Sequence, residues 1–273
     1  LWPTASRRAI EIGVIPVEFR PGSGARVIGY TRAYGATVSR DDAMTDAKTD
    51  GLPLPQRTWA MFATGLSIMM AVLDGAMTNI ALPAIAADFG ASASTSIWVV
   101  NGYQLAVTIS LLPLAALGDS IGYHRVFRAG LAMFLVTSIL CTLAPSLPVL
   151  TAARILQGFA AAGVMSVNVA LLRFIHPRNG LGRGIGINAM IVGTASAVGP
   201  TVASAILAVG HWHWLYAANI PMALAALLLS RNLPTSEGSG RSFDWISTAL
   251  NALTLGLFFL AIGSAAQGRG LAP

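Results

Sequence analysis

From Gly184 to Ser230 the chain contains no Asp, Glu, Lys or Arg. A membrane-spanning helix needs about 20 mainly apolar residues. Uncharged stretches of that order recur near 59–82, 95–117, 127–144, 148–172, 185–208, 214–230 and 245–266, with "VGHWHW" dividing the long run in two. Between them stand turn-forming or polar breakers: "ADFGASAS", "GDSIGYHR", "APSLP", "HPRNGLGR", "GHWHW" and "RNLPTSEGSGRSFD". Composition agrees, since only 10% of the residues are charged, against roughly 25% in soluble domains. The expected class is an all-α membrane protein with about seven transmembrane helices.

Charge placement orients the spans. Lys48 and Arg57 precede the first; Arg125 and Arg128 follow the second, Arg178 and Arg183 the fourth, Arg231 and Arg241 the sixth. The loops after the first, third and fifth spans hold no Lys or Arg, which puts the N-terminus in the cytoplasm. Because these cations form no single patch, the high pI of 10.2 does not point to nucleic acid. Trp59, Trp98, Trp212, Trp214 and Trp245 lie near predicted span ends, where amphipathic rings favour the interface. The one cysteine, Cys141, excludes an internal disulfide and reads as a packing residue.

Residues 1–43, with six Arg and four acids and no apolar h-region, do not fit the rest. They are expected to be non-native leader or disordered tail, with the natural start at Met44. Residues 44–57 then form a cytoplasmic N-terminal segment, 58–230 a six-helix bundle, 231–244 a cytoplasmic linker, and 245–273 a seventh helix with a truncated end.

Asp74 is the only charge between Thr58 and Ala87. An acid at such depth costs several kcal/mol unless it faces a partner or a watery cavity, and a wet cavity with reversible proton binding is expected. The bland alternative is a helix-capping acid at an interface. Thr78, four residues on, shares its helix face. Arg154 is the only cation well inside a span, a candidate partner for intramembrane charge or backbone carbonyls; otherwise it is a packing or snorkelling arginine. In "LAALGDSIGYHRVF", Asp119 ends one helix, Gly122 permits a tight turn, and Arg125 and Arg128 open the next. Charge pairs there can latch neighbouring helices in one conformation, or the loop is simply a positive one.

Span five is rich in small residues. Gly193 and Ala197, and Gly199 and Ala203, are spaced four apart for close backbone approach, and Pro200 permits a bend. Generic helix packing explains these glycines as well as gating does. His211 and His213, two apart with no third ligand nearby, make a poor metal site and read as interfacial. Asn101, Tyr103, Gln104, Asn168 and Asn188 are polar groups within spans, some of which should line a cavity. No GxxxxGK[ST] loop occurs, which disfavours an ATP-driven pump in this chain.

Six segments, in order, resemble the major facilitator superfamily. The loop after span two is similar to its signature loop, with Asp119, Gly122 and Arg125 matching. Ser120, Tyr123 and His124 stand where basic residues are commoner, and Ala115 where glycine is. "LDGAMTNIALP" (73–83) resembles the first-helix motif of the fourteen-span drug:proton antiporters, except for Ala76 at a threonine position. "RILQG" (154–158) resembles the fourth-helix motif. "ASAVGPTVAS" (195–204) resembles the fifth-helix antiporter motif, keeping Gly199 and Pro200 but with Ala195, Ala203 and Ser204 at glycine positions. "WHWLYAANIP" (212–221) is similar to the entry to helix six, and "FDW" (243–245) to that of the extra seventh helix.

The resemblance implies the N-terminal half of such a transporter plus one helix, its six helices forming two inverted repeats. It implies a multi-pass protein of the plasma membrane, specifically a bacterial inner membrane, and not an enzyme. Its partners would be the lipid bilayer, protons, a small amphipathic substrate and the missing C-terminal half, with no cofactor, metal or nucleic acid. Asp74 and Arg154 would couple protons, Asp119, Gly122 and Arg125 would form the cytoplasmic gating loop, and Gly199 and Pro200 the bending helix. A substrate-specific metabolite or siderophore exporter on the same fold, or an inactive truncated membrane fragment, stays open.

Overall fold

A computed structural model describes residues 51–236, 238 and 244–266. All regular structure there is helical. The elements are α1 (Leu54–Asp88), a one-turn α2 (Ala93–Ser96), α3 (Trp98–Ile121), α4 (Tyr123–Thr142), α5 (Leu147–Ile175), α6 (Leu181–Val209), α7 (His213–Leu229) and α8 (Trp245–Ala266). A 3₁₀ turn, Ser230–Asn232, closes α7.

Every expected span corresponds to a helix; α1, α5 and α6 run past both bounds expected for them, whereas α3, α4 and α7 run past only one. The reason is local: interfacial residues outside the hydrocarbon still prefer to satisfy their backbone within a helix. The breaker "GDSIGYHR" is the extreme case. It is helical except at Gly122, whose φ of +104° alone separates α3 from α4, a conformation that glycine adopts without steric cost. Elsewhere Ser92 caps α2 by accepting from the Thr95 amide, and Pro148 enters α5 within its first turn, where no amide donor is needed. Among the described residues, six helices are long and apolar enough to cross a membrane. The seventh expected span is α8, whose described apolar stretch is the shorter Thr248–Phe258.

Helix α5 is the most enclosed, packing on α3, α4 and α1. Helix α7 packs on α4 and α1, α8 on α3, and α6 mainly on α1, leaving it the least enclosed of the six. Two apolar clusters fill the interior. One includes Met70, Phe127, Leu131, Phe134, Val164 and Ala223; the other includes Met77, Ile85, Cys141, Leu150, Leu215 and Tyr216. On α1, α4, α5 and α7 the boundary between the two falls within one or two turns, around Asp74, Ser138, Arg154–Gln157 and Asn219. A buried polar layer therefore sits between two dry blocks.

Two expectations change. Trp212 is buried rather than interfacial, because its indole N–H donates to Asp88 Oδ2 at 2.9 Å while its ring packs on Phe89 and Tyr216. Trp59, Trp98 and Trp214 are exposed. The pair Gly193 and Ala197 faces away from the bundle; the buried stripe of α6 is Gly184, Ala195, Gly199 and Ala203. Residues 1–50, including Lys48, and Arg241, Phe243 and the C-terminal 267–273 lie outside the described residues, so the leader and the expected end stay untested.

Candidate functional site

The polar layer is built from four helices. Asp74 and Arg154 are each 1% exposed and form an ion pair, Arg154 Nη1 to Asp74 Oδ2, at 2.5 Å. Burial of either charge alone would be prohibitive, and the pair with its added hydrogen bonds is how a protein interior tolerates both. The second carboxylate oxygen, Oδ1, accepts from Asn219 Nδ2 of α7 at 2.7 Å. The same Arg154 Nη1 also donates to Gln157 Oε1 at 2.7 Å, and Gln157 Nε2 donates to Ser138 Oγ at 3.0 Å. Cys141 Sγ donates to Gln157 Oε1 at 3.4 Å.

Aromatic rings close the layer. The Arg154 guanidinium lies 4.1 Å from the Tyr103 ring centroid and 5.4 Å from that of Tyr216, a cation–π arrangement that gains from desolvation. Tyr103 Oη donates to the Ala71 carbonyl at 3.3 Å. Thr78 shares the face of Asp74 as expected, and its hydroxyl donates to the Asp74 carbonyl at 2.9 Å. Within this layer, two buried polar atoms have no partner among the described residues: Arg154 Nε and Asn219 Oδ1.

The expectation that Asp74 faces a wet cavity is corrected. A cavity of about 310 Å³ lies beside it, lined by Gly75, Asn79, Tyr103, Gln104 and Ser196 among others, but Asp74 is not in its wall. Gly75, about 100° further round the helix, takes the cavity side, and Tyr103 lines the cavity while its ring lies against the guanidinium. A partner answers the cost of the acid instead. Of the polar residues expected in spans, Tyr103 and Gln104 line this cavity, while Asn168 is buried and donates to the Thr64 carbonyl at 3.2 Å.

At the α3–α4 turn, Asp119 accepts a hydrogen bond from Tyr123 Oη at 2.5 Å. No ion pair joins Asp119 to Arg125 among the described residues, so the charge-paired latch takes a different form here. The tyrosine is one of the departures from the commoner basic pattern, and it holds the acid from four residues on. A second departure, His124, meets Ser236: the Ser236 amide donates to His124 Nδ1 at 3.2 Å, and the His124 amide to Ser236 Oγ at 3.3 Å.

On α6, a Cβ at Gly199 would stand 2.7 Å from the Cβ of Ala76. The departure from threonine at 76 and the retained glycine at 199 thus form one small–small contact between α1 and α6. Helix α6 continues through Pro200, which offers no N–H to the Ser196 carbonyl one turn earlier, beside the cavity. His213 stacks on Trp212 at 3.6 Å.

Two members of the layer escaped the sequence reading. Asn219 is the one amide in the otherwise apolar α7, a signal visible as a polar interruption. Ser138 carries no such signal, since a serine commonly satisfies itself on its own helix, as this one also does by donating to the Phe134 carbonyl.

Comparison with known proteins follows this geometry. The Major Facilitator Superfamily profile matches residues 64–268. The uncharacterized transporter YebQ of Escherichia coli is 50% identical over 231 residues, 84% of this chain and 50% of that protein. The riboflavin transporter RibZ of Clostridioides difficile is 32% identical over 207 residues, 75% of this chain and 45% of that one. The multidrug efflux pump LfrA of Mycolicibacterium smegmatis is 34% identical over 217 residues, 78% and 43%. A crystal structure of a mutant peptide transporter POT in complex with sulfate shares the fold, with a TM-score of 0.59 at 13% identity over 76% of this chain and 45% of that one. The chain spans about half the length of the curated relatives it matches.

Proposed function

The chain belongs to the major facilitator superfamily, and from that membership we propose that the whole protein exports small amphipathic compounds in exchange for protons. The observation that carries this is the sealed Asp74–Arg154 pair between two apolar blocks. A proton on Asp74 removes the charge that Arg154 is paired with, leaving a guanidinium whose burial is no longer compensated. The arrangement then favours a rearrangement that gives Arg154 another partner or water. Asn219 suits a two-state acid, because its amide can donate to the carboxylate and, turned over, its unpartnered Oδ1 can accept from the protonated form. Release of the proton on the other side restores the pair, which is the coupling that alternating access requires.

In this reading Asp74 and Arg154 couple the proton, and the 310 Å³ cavity is the half-site facing the substrate path. The α3–α4 turn, with Asp119, Gly122 and Arg125, is the cytoplasmic gating loop, and Gly199–Pro200 the place where α6 flexes. The protein sits in the plasma membrane with its N-terminus cytoplasmic, and a second half, as in relatives of twice the length, completes the path. Likeness to an efflux pump supports a broad substrate range. Likeness to a riboflavin transporter favours the second reading, a carrier dedicated to one metabolite.

The test is Asp74→Asn in the full-length transporter, which keeps size and hydrogen bonding while removing titration. Export driven by a proton gradient in everted vesicles should be abolished, with protein level retained. Substrate binding should survive, since the amide resembles the protonated acid. Export at the wild-type rate would show that the acid is structural.

A further inference from the structure

We propose that the groove between α4 and α7 is a binding site for an anionic phospholipid, with its headgroup phosphate held by Arg125, Arg128 and Arg231. The groove encloses about 730 Å³, and its mouth carries these three arginines and His124. Below the mouth the wall is wholly apolar: Ala129 and Ala132 on α4 face Leu224, Leu227 and Leu228 on α7. Small residues on one helix opposite leucines on the other leave a channel running along the helix axes, the shape an acyl chain fills.

The charges converge for a geometric reason. The Cα–Cβ bond of a helical residue tilts towards the N-terminus. Arg128, one turn into α4, therefore reaches back to the level of Arg125, while Arg231 follows the end of the antiparallel α7 at that same level. All three are exposed, no acidic side chain lines the groove, and among the described residues none of the three forms an ion pair. A cluster of unneutralised guanidinium groups above an apolar channel on the outer face of a membrane bundle matches a phosphodiester above acyl chains. A soluble anion would use the mouth and leave the channel idle. Arg125 and Ala129 also line an adjoining apolar cleft of about 520 Å³ bounded by α8, so a second acyl chain has a place within reach of the same headgroup. The proposal depends on the membrane setting and not on proton coupling, so either can fail without the other.

The experiment is lipid retention by the purified chain in uncharged detergent, read by native mass spectrometry, with dioleoylphosphatidylglycerol against dioleoylphosphatidylcholine. Binding of the anionic lipid should be on the order of a hundredfold tighter, given roughly 1 kcal/mol for each of three arginines near an anionic headgroup. The Arg128→Gln/Arg231→Gln pair should lose most of that preference, whereas Arg57→Gln/Arg183→Gln should change it less than about twofold. Ala132→Phe, which blocks the channel and leaves the charges intact, should weaken retention of the anionic lipid. Inorganic phosphate should displace it no better than chloride at equal ionic strength. Equal loss in the two arginine pairs, indifference to Ala132→Phe, or displacement specific to phosphate would each overturn the site.

Discussion

A buried ion pair is expensive to break and cheap to replace, and Asp74–Arg154 should behave that way. Arg154→Met leaves a carboxylate in the interior with only Asn219 beside it, and should destabilise the protein by about 3–5 kcal/mol. Removing both charges, as Asp74→Leu/Arg154→Met, should recover most of that loss. Thermal unfolding in detergent across the four members of this cycle checks the claim; a double variant no more stable than the worse single one would contradict it. Asn219→Ala strands a charged acceptor and should cost about 1–3 kcal/mol in the same assay. Both charges were legible in the sequence because each stands alone in an apolar span. Their pairing was not, since they are 80 residues apart and the rotation of one helix against another is set by packing, which the local pattern does not contain. The wet cavity was an inference from cost alone, and a partner satisfies the same cost.

Helices were easier to read than their contacts. Long uncharged runs located α1 and α3–α8, while most helix ends moved outward and Gly122 reduced a presumed loop to one residue. The small-residue face of α6 was harder, because two glycine–alanine pairs offered the same spacing and only Gly199–Ala203 faces the bundle. The close Gly199–Ala76 approach leads to a reciprocal expectation. Gly199→Val should push α6 off α1 and lower the melting temperature, and Ala76→Gly should restore part of the loss, as residues in contact are not additive. Absence of rescue would mean that the glycine serves α6 itself. At Gly122, whose φ lies where other residues are strained, Gly122→Ala should cost roughly 1 kcal/mol or more, read as an earlier unfolding midpoint.

The bundle as a whole has an orientation that alternating loop cations propose and labelling can test. Single cysteines at Ser94 or Gly210, in a background without Cys141, should react with an impermeant thiol reagent from outside the cell, and one at Asn179 should not. The opposite pattern would invert the topology. The ion pair also bears on how the molecule is made. Helix α1 leaves the ribosome before its partners: Arg154 follows Asp74 by 80 residues and Asn219 by 145. At about 5–20 residues per second, Asp74 waits several seconds in or near the insertion machinery without its cation. During that interval it has to be carried by a proton, a water defect or a chaperoning helix. The pair can form only once α5 has been made, so the order of synthesis, and not the finished packing alone, decides how long this acid must be accommodated by other means.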